Sequence, residues 1–168
     1  MHTLCAASRA LGLEAQARVG LYSANRPEWV IGEQACFTNN LVTVPLYDTL
    51  GPESAEQIVS QATLQAVICS ADKVASLVAI AARHPCLRVV IVMPTQPFEA
   101  KATAAAAAQS SSSSSSSSSL RVMSMGEAEQ LGAQTAATFT HTAPVATDYC
   151  TFCYTSGTTG APKASREQ

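Results

Sequence analysis

Along the first half of the chain the apolar positions switch back and forth between a helical and a strand-like period. Residues 4–13 read as a short helix ended near Gly12, and 18–23 (Arg-Val-Gly-Leu-Tyr-Ser) as a short apolar strand. Pro27 suits the first turn of a helix, where its missing N–H costs nothing. That helix carries Trp29, Val30, Glu33, Cys36 and Phe37, whose apolar members fall near the i, i+3, i+4 spacing of one buried face. Residues 41–47 are strand-like, and Pro45 predicts that this strand lies on an edge or ends early. Pro52 opens a helix through about Ala62; 64–69 is a strand, 71–82 a helix, and 87–93 (Leu-Arg-Val-Val-Ile-Val-Met) a strand. Strand and helix in this alternation predict an α/β fold built of βαβ units, with a mostly parallel sheet covered on both faces.

The rhythm breaks at 94–119. Pro94, Pro97, the alanines at 104–108 and the unbroken serines at 110–119 cannot bury enough apolar area to offset their ordering entropy. They predict a disordered surface insertion in a loop, which divides the chain into 1–93, 94–119 and 120–168. Order resumes weakly at 120–125, with a short helix around 126–132. A Thr/Ala-rich loop then leads to a last strand at 149–154.

Composition sharpens this picture in two places. Charged residues make up only 13% of the chain, against roughly 25% in an ordinary domain. Two causes fit the shortage: the long uncharged insertion, and a remaining chain that expects to be buried, as a piece of a larger protein would be. A net charge of −2 and the absence of any Lys/Arg run give no electrostatic footprint for nucleic acid. No apolar stretch approaches the roughly 18–20 residues of a membrane-spanning helix, and the first residues lack the basic start of a signal peptide, so the chain reads as soluble. The six cysteines have no disulfide-framework spacing. Cys150 and Cys153 form a C-x-x-C pair, but on a strand residues three apart face opposite sides, so free, buried or half-buried thiols are expected in place of a metal or redox site. His2, His84 and His141 suggest exposed loop positions with no clustering, and no metal site is predicted.

Chemistry concentrates in Tyr154-Thr155-Ser156-Gly157-Thr158-Thr159-Gly160-Ala161-Pro162-Lys163, directly after the last strand. Gly157 and Gly160 allow tight turns and close backbone approach, so main-chain N–H groups can point at phosphate oxygens. Thr155, Ser156, Thr158 and Thr159 add hydroxyl donors, and Lys163 a compact positive charge for a β- or γ-phosphate. A Walker A loop does not fit, because the lysine lies three residues after Gly160 and Pro162 stands where the helix would begin.

This stretch resembles the nucleotide-phosphate loop of the adenylate-forming superfamily. Two upstream stretches, Val19-Gly20-Leu21-Tyr22-Ser23-Ala24-Asn25-Arg26-Pro27-Glu28-Trp29 and Val44-Pro45-Leu46-Tyr47-Asp48-Thr49-Leu50-Gly51, are similar to segments of long-chain acyl-CoA synthetases, in the expected order. The resemblance implies the N-terminal part of the adenylate-forming fold and a two-step ligase. ATP and a long-chain fatty acid give acyl-adenylate and pyrophosphate with Mg²⁺; CoA sulfur then displaces AMP. It implies that Thr155, Ser156, Gly157, Thr158, Thr159, Gly160 and Lys163 hold the ATP phosphates, while the catalytic residues are expected downstream of Gln168. The chain would then be a catalytically incomplete fragment. Tyr22, Trp29 and Tyr47 are expected to pack, and Asp48 and Thr49 to cap or tighten the turn before the Pro52 helix. Ala164 departs from the family's glycine, at a cost of roughly 1 kcal/mol if that position needs a positive φ. The resemblance leaves open a peripheral association of the complete protein with the endoplasmic reticulum or peroxisome surface. The competing reading is a binding or interaction module that keeps only the phosphate loop.

Overall fold

Strands that are apolar on both faces require helices on both sides of a sheet, and that arrangement forms. The computed structural model describes residues 2–49, 51–95, 120–155 and, as backbone alone, 163–167. In chain order the elements are α1 (His2–Ala10), β1 (Arg18–Tyr22), α2 (Pro27–Thr38), β2 (Val42–Leu46), α3 (Pro52–Gln61), β3 (Ala66–Cys69), a 3-10 turn (Ala71–Lys73) and α4 (Val74–Ala81). They continue with β4 (Val89–Val92), β5 (Arg121–Ser124), α5 (Met125–Thr135), β6 (Thr151–Thr155) and β7 (Lys163–Glu167). The strands form one sheet in the order β5–β4–β3–β1–β2–β6–β7. Every neighbouring pair is parallel except β6–β7, which is antiparallel.

Two buried clusters fill the two faces. Val42, Val44, Leu46, Val67, Cys69 and Val90 point to α3 and α4 on one face. Val19, Leu21, Ala66, Ile68, Val89 and Ile91 point to α1, α2 and α5 on the other. Topology and helix placement agree with the right-handed rule for parallel crossovers. Connections moving from β1 to β2 and from β5 to β6 go one way across the sheet and run over the α2/α5 face. Those moving back, from β2 to β3 and from β3 to β4, run over the α3/α4 face.

Two proline signals and one glycine signal agree with the structure. Pro27 and Pro52 each occupy the first turn of their helix, and Gly12 takes φ +76° just past α1. Three expectations need correction. First, β2 is not an edge strand but sits between β1 and β6. Thr43 N–H donates to the Cys150 carbonyl at 2.9 Å, so alternate residues put Pro45 on the same side, toward β6. The missing donor therefore shortens the β2–β6 ladder, which registers only at Thr43 and Thr151.

Second, α2 turns a different face inward. Gly32, Ala35 and Cys36 are its buried residues, whereas Val30 is 52% exposed and Trp29 and Phe37 are half-buried. Small residues face the sheet because the approach is close: a Cβ on Gly32 would lie 3.1 Å from Ile68 Cδ1. Third, 120–135 is more ordered than expected. It forms strand β5 and an eleven-residue α5 started by a capping box, in which Ser124 Oγ accepts from Glu127 N–H and the Glu127 carboxylate accepts from Ser124 N–H.

The expected insertion at 94–119 lies almost wholly outside the described residues. The strands on either side of it, β4 and β5, pair in parallel.

Candidate functional site

Parallel strands end on one edge of the sheet, and there the chain leaves β1 toward the α2 face and β2 toward the α3 face. Adjacent strands whose connections part in this way open a crevice outside their carboxyl ends, the usual ligand position in open α/β sheets. The phosphate motif belongs to the same edge. Thr155 is the last residue of β6 and is exposed. β7 begins at Lys163, and the antiparallel register sets Thr155 opposite Lys163. The two outer members of the predicted site are thus cross-strand neighbours. Ser156, Gly157, Thr158, Thr159 and Gly160 lie outside the described residues, as does the Lys163 side chain. A strand, and not a helix, follows Pro162, which agrees with the exclusion of a Walker A loop. Ala164 pairs with Tyr154 within β7; a strand position suits alanine, so the expected positive-φ penalty does not arise.

β6 is fixed at its start by polar contacts. Gln16 Nε2 donates to Asn40 Oδ1 at 2.7 Å and to the Tyr149 carbonyl at 3.1 Å, and Gln16 Oε1 accepts from Tyr149 N–H at 3.1 Å. Asn40 Nδ2 donates to Asp148 Oδ2 at 2.8 Å. Gln16 and Asn40 both hold left-handed backbone, with φ of 63° and 53°. Farther along, Phe152 and Tyr154 bury themselves on the α3 face.

On the same edge, Lys73 Nζ lies 2.8 Å from Asp48 Oδ1 and 3.0 Å from Asp72 Oδ2. Ser70 Oγ donates to Asp72 Oδ1. Asp48 therefore serves an ion pair and not a cap: Gly51 is the N-cap of α3, with no side-chain cap hydrogen bond. Tyr22 is buried as expected, but Tyr47 is 53% exposed and not a packing residue. Burial is the largest influence on Asp72 and opposes its charge, yet the hydrogen bonds from Ser70 and Lys73 outweigh it and leave its carboxyl below the usual range. Burial likewise works against the Lys73 ammonium, and the hydrogen bonds to Asp48 and Asp72 raise it above its ordinary value. On the far side of α3, Arg83 and His84 grip Glu56 at 2.7 to 2.9 Å and hold its carboxyl down to about 2.

The cysteines are free, three buried and three half-buried, and burial pushes the thiols of Cys36 and Cys69 far up, away from reactivity. The histidines correct an expectation: His2 and His141 come together with Phe139, the two imidazole centroids 5.5 Å apart. Among the described residues no group of three or more His, Cys, Asp or Glu could hold a metal ion. With Asp48 and Asp72 both engaged by Lys73, the described residues do not fit the Mg²⁺ that the resemblance implies.

Comparison with known proteins supplies the remaining context. The model of the AMP-binding enzyme family matches residues 4–165. Long chain acyl-CoA synthetase 6, peroxisomal, of Arabidopsis thaliana is 38% identical over 159 residues, a match covering 90% of this chain and 20% of that protein. Long-chain-fatty-acid–CoA ligase 1 of Homo sapiens is 35% identical over 150 residues, 88% of this chain and 20% of that one. The chain therefore spans about a fifth of the length of these relatives. In fold it is similar to the adenylation domain of a carboxylate reductase from Mycobacterium chelonae, with a TM-score of 0.83 at 21% identity over 98% of this chain and 26% of that one. An anthranilate CoA ligase in complex with anthranoyl-AMP gives 0.72 at 19% identity, over 98% and 27%.

Proposed function

This chain belongs to the AMP-binding enzyme family, and we propose that it forms the phosphate-loop part of a long-chain fatty-acid–CoA ligase. The observation that carries the reading is the placement of the motif. A Gly/Ser/Thr run with a following lysine is bracketed by β6 and β7, on the edge of the sheet where the parallel strands have their carboxyl ends. In the whole enzyme, fatty acid carboxylate attacks the α-phosphorus of ATP, pyrophosphate departs, and the thiol sulfur of CoA then displaces AMP to give the thioester. Within this chain, Thr155, Ser156, Gly157, Thr158, Thr159, Gly160 and Lys163 hold the β- and γ-phosphates. Pre-placed donors and one positive charge stabilise the departing pyrophosphate without having to reorganise. Mg²⁺ has no fitting ligand set among the described residues, and no step here depends on it. Residues 1–93 and 120–168 act as one domain around an insertion at 94–119. Taken alone, the chain binds polyphosphate and completes no ligation. The names of the relatives support a peroxisomal setting for the whole protein, at the surface of a membrane that supplies its acyl substrate. No helix among the described residues is long and apolar enough to cross one.

The test grafts this chain into Long chain acyl-CoA synthetase 6 of Arabidopsis in place of the matching segment. The graft should support palmitate-dependent ATP–pyrophosphate exchange, and Gly160→Val within it should lose at least roughly 100-fold, as when one pre-placed donor is removed. Supplied with pre-formed acyl-adenylate and CoA, the same variant should form thioester near the unsubstituted rate. Equal loss in both half-reactions would remove the motif from pyrophosphate departure. A well-folded graft with no exchange would favour the non-catalytic module.

A further inference from the structure

One charged group on the carboxyl edge has no part in the phosphate reading. Lys73 closes the 3-10 turn after β3, and its side chain is only 17% exposed. Besides Asp48 Oδ1 and Asp72 Oδ2, its Nζ donates to the Asp48 backbone carbonyl at 3.1 Å, and it lies 5.1 Å from the centroid of the Tyr22 ring. Asp72 is held from its other side by Ser70. A single ammonium thus fastens three strand exits: Tyr22 at the end of β1, Asp48 just past β2, and the turn just past β3. Two carboxylates already neutralise it, so it is not a free ligand for phosphate.

The exit that matters is that of β2, which lies between β1 and β6. Counted forward from Thr43 and Thr151, the parallel register sets Tyr47 level with Thr155, where the motif begins. Pro45 cannot continue the hydrogen-bond ladder that would lock β2 to β6 there. Packing acts there, since Leu46 shares one buried cluster with Tyr22, Phe152 and Tyr154, and so does the pull of Lys73 on Asp48. We propose that Lys73 is a positioning residue for polyphosphate binding: with Asp48 and Asp72 it fixes the β2 exit beside the end of β6, where Thr155 stands. This rests on the phosphate reading of 155–163 given above.

Inorganic pyrophosphate is titrated calorimetrically into the full chain, with a thermal melt recorded for each variant. Lys163→Ala should weaken binding at least about 10-fold, as the loss of a charge-assisted contact does. Lys73→Met should weaken it about 5- to 10-fold, the lower range of coupling between sites, and Lys73→Arg should recover most of that. Bulk charge is separated from geometry by two further variants. Asp72→Asn combined with Lys73→Met restores the original net charge without the clamp and should stay weak. Asp48→Asn makes the edge less negative, so charge alone predicts tighter binding, whereas a lost clamp predicts weaker binding. Asp48→Asn also keeps the test open if Lys73→Met fails to fold. Tighter or unchanged binding by Asp48→Asn, or full recovery in the double variant, overturns the inference. If Lys73→Met binds normally while Lys163→Ala does not, Lys73 has no such role and the motif reading stands. If Lys163→Ala binds normally, or the unsubstituted chain does not bind, the motif reading falls and this inference with it.

Discussion

Gly132 is a point of close backbone approach between α5 and α1, and replacing it with alanine should separate two helices that cover the same face of the sheet. A Cβ at Gly132 would stand 1.7 Å from the Thr3 carbonyl oxygen, 2.6 Å from Thr3 C and 3.0 Å from Ala7 N, all backbone atoms that no rotamer change can clear. Restoring ordinary contact, about 3.5 Å between heavy atoms, means moving α1 away by well over 1 Å. A gap of about 0.5–1 Å already forfeits a quarter to a half of each contact it opens, and a wider one forfeits more; α1 has Leu4, Cys5, Ala6 and Ala7 buried. Overpacking of this kind costs about 1–3 kcal/mol, while alanine regains about 0.8–1 kcal/mol of helix propensity over glycine. If α1 undocks altogether the cost rises, bounded by the burial of Leu4 at about 1.5–3 kcal/mol plus the smaller side chains. The expected net change is a destabilisation of about 1 kcal/mol while α1 stays docked, and more if it undocks. Gly126 is the internal control. It lies in the first turn of the same helix, and its added Cβ would meet only Ser124 Oγ at 4.0 Å. Gly126→Ala should be neutral or stabilising by up to about 1 kcal/mol. Urea unfolding followed by circular dichroism measures both, and hydrogen exchange should show protection lost first in α1 of the Gly132 variant. If Gly132→Ala is as stable as Gly126→Ala, the α1–α5 contact is not a determinant of this face and the reasoning fails.

Two further predictions concern charge and the insertion. Hydrogen bonds from Arg83, then His84, depress the Glu56 carboxyl from 4.5 to about 2. Its contribution is thus fully present above pH 4.5 and fades as the pH falls toward 2. Glu56→Gln should be less stable than the unsubstituted chain at neutral pH and converge with it in acid; curves that stay parallel from pH 7 to 2 would refute this. Removing the serine tract at 110–119 should leave stability nearly unchanged, because closure entropy varies slowly with loop length. Removing 104–119 leaves the β4–β5 crossover near the lower limit of about a dozen residues and should cost more. Equal stability of the two deletions in urea would show that the crossover does not need that length.

What the sequence disclosed about this fold was local, and what it hid depended on partners distant in the chain. Pro27 and Pro52 marked helix starts because a proline at the first turn is favourable whatever lies opposite. Apolar runs such as 87–93 marked strands because both faces of a parallel sheet are covered. Pro45 misled because its cost depends on which side its absent N–H faces, and that parity comes from the register with β1. On α2 the apolar spacing was real, but Gly32, Ala35 and Cys36 approach the sheet more closely than Val30 could. One miss was avoidable: Ser124-Met125-Gly126-Glu127 is a capping-box pattern, and it would have placed the start of α5. By contrast, β7 (Lys-Ala-Ser-Arg-Glu) has no apolar alternation, and only its pairing with β6 makes it a strand.

The same division runs through the site. A phosphate motif is readable because glycines, hydroxyls and a lysine must follow one another closely to surround one anion. Its support is not readable in that way. Asp48 and Lys73 are 25 residues apart with no periodic relation, and they meet because β1 lies between β2 and β3 and all three exits share one edge. A parallel sheet necessarily gathers such exits, since every crossover returns the chain to the opposite end before the next strand begins. Charged residues just past parallel strands are therefore candidates for mutual pairing even when their spacing suggests nothing. Asp48 shows the consequence: next to a helix start it reads as a capping residue, and only the position of β3 beside β1 reveals that it faces a lysine.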